Sequence, residues 1–134
     1  MQSRNQQQTQ IMVITYQYLF YQRMNVEVDL KELIANTFDM PYDEVDIFAK
    51  EVVIKTLLHQ EEIDTLIENN LINWKLSRLN LVAHAILLFS IGEYKYVEEK
   101  ISKAEIIDIA IKLSKQYLDD NQYKFVNALL DKVL

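Results

Sequence analysis

Apolar side chains recur along the chain every three or four residues, the spacing that lines one face of an α-helix. Between residues 9 and 24, Ile11, Ile14, Tyr18 and Tyr21 form one stripe and Met12, Tyr16, Leu19 and Phe20 a second. Two stripes predict a first helix buried on more than one side. A short helix is expected over 30–37 with Asp29 as its N-cap. After Pro41 breaks the chain, Asp43 is placed to cap a helix carrying Val45, Phe48, Val52 and Leu57. The segment 60–70 sets Ile63, Leu66 and Ile67 on one face, and Asn69-Asn70 is expected to end it through a left-handed residue. From 76 to about 94 the apolar positions leave only a narrow polar strip, which predicts the central and most buried helix. Ser102 and Glu105 have capping-box spacing and open a helix through Ile106, Ile109, Ala110 and Leu113. Asp119-Asp120 then caps a last helix, with Phe125, Leu129 and Val133 on one face beside Val126 and Leu130.

About seven helices in one domain over 1–134 follow, and composition agrees. One Gly and one Pro leave almost none of the turn residues that hairpins use, so the fold class is all-α. A chain of 134 residues is long enough to bury a core without a metal or a disulfide. Absence of cysteine removes disulfides, thiolate metal sites and thiol nucleophiles, and fits a reducing compartment. The polar start and the interruptions at Thr15, Gln17 and Gln22 argue against a leader or a membrane span, so a cytoplasmic protein is expected.

Net charge is −6, but it is unevenly spread. Residues 1–24 carry Arg4 and Arg23 without an acid, residues 25–68 twelve acids against three lysines, and residues 69–134 nine bases against eight acids. A charge run of this kind is usually a solvated face, and its alternative use is to meet a basic partner.

Enzymatic chemistry finds little footing. Gly92 alone cannot build a phosphate-cradling loop. His59 and His84 are twenty-five residues apart, outside any helical ligand pair, and His84 reads as a hydrogen-bonded histidine on a buried helix. The adjacent acids Glu61-Glu62 and Glu98-Glu99 diverge by about 100° on a helix and read as solvated surface. Ser77, Ser90, Ser102 and Ser114 lack a neighbouring base. The chain is expected not to be an enzyme.

Three blocks carry a family resemblance. They are Trp74-Lys75-Leu76-Ser77-Arg78-Leu79 with Ile86-Leu87-Leu88 and Glu93; Ile107-Asp108 with Ala110, Leu113 and Lys115; and the run from Tyr123-Lys124-Phe125-Val126-Asn127 to Leu130-Asp131-Lys132-Val133. In sequence and spacing these resemble the NusB transcription-antitermination family, over roughly 72–134 and more weakly over 3–24. The resemblance implies two small helical bundles packed together in a bacterial cytoplasmic protein. It implies a partner, ribosomal protein NusE, and joint binding of single-stranded boxA RNA in nascent transcripts, notably of ribosomal RNA operons, within an RNA polymerase antitermination complex. No cofactor is implied.

Carried over residue by residue, the resemblance nominates Lys124 and Phe125 as RNA contacts, and Phe20 where the family has a first-helix tyrosine. Core packing accounts for Phe125 about as well, since it shares a stripe with Leu129 and Val133, and Phe20 lies on a helix rich in core positions. The family's opening arginine run is here Arg4 followed by Asn5, Gln6, Gln7, Gln8, Thr9 and Gln10. Arg4, Gln7, Gln8 and Gln10 are therefore expected to meet RNA with less charge, and so with less counterion release. Gly92 replaces a tyrosine, Ile109 a glutamate and Ala128 a glycine. The alternative is a degenerate member that keeps the fold without RNA binding, as an interaction module or homodimer formed through Tyr16, Tyr18 and Tyr21.

Overall fold

The computed structural model describes residues 3–72, 74–98 and 100–134. Among these there are seven α-helices and no strand: α1 (Arg4–Arg23), α2 (Leu30–Phe38), α3 (Ile47–Leu58), α4 (Gln60–Asn69), α5 (Leu81–Tyr96), α6 (Lys103–Tyr117) and α7 (Asp120–Val133). Single 3₁₀ turns at Tyr42–Glu44 and Leu76–Arg78 precede α3 and α5. Of the paired acids considered above, Glu99 lies outside the described residues.

Local chemistry sets the helix starts. Asp29, Ser102 and Asp119 each accept a hydrogen bond from the backbone N–H three residues on, at the three N-caps anticipated from sequence. Others shifted. α1 begins five residues before the apolar pattern does, because Ser3 and Gln6 form a reciprocal capping box. Asp43 sits inside the 3₁₀ turn, and the cap of α3 is Asp46, whose carboxylate accepts from Phe48 N–H at 2.8 Å. The intervening Val45 is extended and buried, so the chain first drops an apolar side chain into the core and only then turns helical. Asn70 ends α4 with φ −108°, not in the left-handed region; Asn25 and Asp39 are the described residues with positive φ. Asn80, not a residue near 76, caps α5 through Val82 and Ala83 N–H.

α5 is the axis of the molecule, as its near-continuous apolar sequence predicts. From Ala83 to Glu93 every residue is buried. α1, α3 and α4 pack against it, and so do α6 and α7, which also pack on each other. Two groups of helices thus share one central element. α1 runs antiparallel to α5, since Gln8 near its start meets Glu93 near the end of α5. α3 crosses α5 closely at Thr56 and Gly92, where a side chain on residue 92 has no room.

His84 is buried on α5 and its Nε2 lies 2.7 Å from Asp64 Oδ1, a partnered histidine as its setting suggested. His59, at the α3–α4 corner, stacks on Tyr96 with ring centroids 3.8 Å apart. The Tyr96 hydroxyl donates to Glu62, and burial first, then this bond and the carboxylate charge, raise its pKa above the ordinary tyrosine value. The hydroxyl therefore stays a donor, which ties the corner to the end of α5.

Candidate nucleic-acid interface

The residues nominated for RNA do not converge on one site. Arg4 stands at the exposed start of α1 with its guanidinium 3.9 Å over the Phe48 ring. Gln7 and Gln8, expected to face RNA, are instead buried at 7% and 0% exposure. The Gln8 amide donates to both carboxylate oxygens of the fully buried Glu93, at 2.9 and 3.0 Å. The reason is geometric: α1 packs on α5, α3 and α2, so these polar positions fall on its interior face and one of them serves an internal carboxylate. Gln10 is half-buried with its Oε1 turned away from solvent.

Phe20 lies sixteen residues beyond Arg4, about 24 Å along the helix at 1.5 Å per residue. It is 43% exposed, stacked against Tyr16 and edge-on to Tyr21. Tyr16 and Tyr18 themselves pack partly against the core. That leaves them less available for the homodimer contact considered above.

The C-terminal pair stands in a more developed setting. Lys124 is exposed, and Phe125 is half-buried, backed by the core but open on its other side. That open side faces a groove of about 390 Å³ between α7, the first turn of α5 and the segment that joins α4 to α5. On α7 the spacing Asn121, Phe125, Ala128, Lys132 places four side chains along one edge, because Asp119 fixes the helix register at its start. The opposite edge is Asn70, Leu71, Ile72 and Trp74, with Leu79 and Ala83 as part of the floor. Trp74 is 59% exposed, a large amphipathic ring that lines the same trough as Phe125. Ala128 contributes only a methyl group to the wall of the trough.

Trp74, Asn70, Asn121, Gln122 and Lys132 line this groove and were not singled out as site residues from sequence. Trp74 was visible as part of a motif, but only the folded chain brings the segment before α5 alongside α7. Lys75, Arg78, Lys124 and Lys132 are all exposed on or beside the two elements that form the rims. Two aromatic rings, side-chain amides and Lys132 at one opening, with Lys75, Arg78 and Lys124 exposed on the neighbouring segments, provide stacking surface, hydrogen-bonding groups for base edges and charge for phosphates. A second cavity of about 440 Å³, lined by Tyr18, Gln22, Asn25, Val26, Glu27 and Val28, has an acid and no cation in its wall. It suits an anionic polymer less well.

Phe20 and the groove lie toward the same end of α5, since α1 is antiparallel to it; Arg4 lies toward the other. Among the described residues, no three His, Cys, Asp or Glu side chains are grouped to hold a metal ion, and no helix is long and apolar enough to cross a membrane.

Comparison with known proteins agrees with this architecture. The chain is 35% identical over 106 residues to a protein of Borreliella burgdorferi named transcription antitermination protein NusB, covering 79% of this chain and 75% of that protein. A protein of the same name from Listeria innocua is 32% identical over 117 residues, covering 87% and 88%. The solved structure of T. maritima NusB superposes with a TM-score of 0.82 at 27% identity, over 98% of this chain and 90% of that one. The model of the NusB family matches residues 5–134, and with these relatives and this fold the chain belongs to the NusB family.

Proposed function

We propose that the protein is an RNA-binding transcription antitermination factor, acting with ribosomal protein NusE on boxA-like single-stranded RNA of nascent transcripts, notably from ribosomal RNA operons. It works by binding and catalyses no reaction of its own. The relatives named as antitermination proteins support the role. The observation that carries the RNA reading is the groove itself: Phe125 and Trp74 border one trough whose rims hold Lys132 and the amides of Asn70, Asn121 and Gln122. Unpaired bases bind proteins by stacking on such rings while amides meet their edges.

Trp74 is the only tryptophan in the sequence, so its emission reports on this groove alone. Titrating the protein with its NusE partner and a short boxA-like RNA should quench that emission and retard the RNA more than either protein does separately. Phe125→Ala should then weaken RNA binding by roughly 1–3 kcal/mol if a base stacks there, alongside a modest drop in melting temperature from the side of the ring that packs on the core. A large stability loss at unaltered affinity assigns the ring to the core instead. Salt dependence tests the charge side. With Lys75, Arg78, Lys124 and Lys132 as the phosphate contacts, the slope of log K against log salt should be no steeper than about −3, at ~0.7 per phosphate of a single strand. A steeper slope means cations elsewhere contribute.

A further inference from the structure

α3 has two apolar sides and the fold uses only one. Phe48, Ala49, Val52, Val53 and Thr56 are buried, and at about 100° per residue they cover the side facing α1 and α5. Ile47, Ile54 and Leu58 fall within about 40° of one another on the opposite side, and they are 79%, 42% and 74% exposed. Single exposed aliphatics are ordinary. Three in register at i, i+7 and i+11, along about 16 Å of helix, reproduce the seam spacing by which one helix receives another.

The surroundings say what kind of helix. From residue 43 to 62 the chain carries six acids, Asp43, Glu44, Asp46, Glu51, Glu61 and Glu62, against Lys50 and Lys55, a net of −4. Both lysines are already engaged: Lys50 lies 4.8 Å from the Tyr42 ring centroid and donates to the Tyr42 carbonyl, and Lys55 pairs with Glu51 at 3.3 Å. The acids flank both ends of the strip, with Glu51 on α3 itself, and they outnumber the nearby cations even with Arg4 over Phe48 and Lys31 by Tyr42 counted. A second copy docking on this face therefore sets like charge against like, and nucleic acid or an anionic lipid surface is repelled in the same way. A helix with an apolar seam bordered by Lys and Arg is attracted.

We propose that the outer face of α3 is a docking strip for a basic amphipathic helix of another protein. This is a surface separate from the groove bordered by α7, and it does not depend on the RNA reading. It gives the acidic segment a role beyond solvation, with charge governing encounter and the three aliphatics holding the complex.

The test is an amide chemical-shift titration of the full chain with three synthetic 18-residue helical peptides. The first has a leucine seam flanked by lysines, the second the same seam flanked by glutamates, and the third the lysine flanks with a serine seam. The lysine-flanked leucine peptide should bind alone and shift the amides of 47–58. Ile54→Ser with Leu58→Ser should weaken it at least tenfold, with an unchanged melting temperature and unchanged RNA affinity. Equal binding of the serine-seam peptide, shifts confined to 70–79 and 121–132, or a dimer of the free chain that the double variant dissociates would each overturn the proposal.

Discussion

Replacing Gly92 by alanine is expected to lower the melting temperature by roughly 5–10 °C, although alanine is the better helix former. Propensity alone favours alanine by about 1 kcal/mol in a helix interior, which is how the position reads from sequence, as a weak point in the central helix. Packing reverses the sign. A Cβ at residue 92 falls 2.8 Å from the Thr56 Cβ and 3.1 Å from its Cα, and it overlaps the Thr56 hydroxyl. Both residues are buried, and Thr56 belongs to α3, so relief requires the two helices to separate along their contact. Overpacking costs about 1–3 kcal/mol and sometimes more. Because this clash reaches the Thr56 backbone and not only a movable side-chain tip, the cost falls at the upper end, about 3 kcal/mol, and less the propensity gain leaves a net loss of about 2 kcal/mol. For a domain of this size each kcal/mol is worth about 3–5 °C. Thermal denaturation of Gly92→Ala, Thr56→Ala and the double variant resolves it. Thr56→Ala removes the hydroxyl but keeps the Cβ, so the double variant should recover only part of the loss. Stabilisation by Gly92→Ala would mean that α3 and α5 do not approach this closely.

That glycine illustrates what was legible in the sequence and what was not. Helix number, order and the dominance of α5 follow from periodicity, because a 3.6-residue pattern is a local property that packing then exploits. N-caps at Asp29, Ser102 and Asp119 were equally local. Where several candidates stood close together, the tertiary structure chose: Val45 had to be buried before α3 began, which moved its cap from Asp43 to Asp46. The start of α1 was missed for another reason. Its first two turns are almost wholly polar, so the apolar pattern is silent there, although Ser3 and Gln6 had capping-box spacing. At the candidate interface, Lys124 and Phe125 came from the C-terminal motif, while Trp74 and the amides across the trough needed the fold to bring them near. The glutamines show the opposite failure. A run of polar residues reads as surface, and nothing local reveals that Gln8 has a partner eighty-five residues away.

Breaking that contact from the Gln8 side should be among the more costly single changes in the molecule. Gln8→Leu is expected to destabilise the fold by about 2 kcal/mol, a drop of roughly 5–10 °C, since the buried hydrogen bonds given by its amide are lost and an apolar branch takes their place beside a polar group. Glu93 has no exposed surface, so water cannot replace the lost donor without opening the contact between α1 and α5. Gln8→Glu should be worse, because it sets a second carboxylate against the first in a low-dielectric setting. Gln8→Asn tests distance, being one methylene too short to reach both oxygens, and should fall between wild type and leucine. The same variants separate the two roles this residue has been given. If Gln8 touched RNA, Gln8→Leu would lower affinity and leave the melting temperature alone; with its amide held by Glu93, stability should fall while the RNA affinity of the folded fraction stays at the wild-type value. Affinity measured well below the variant's melting temperature, beside its denaturation curve, distinguishes the outcomes.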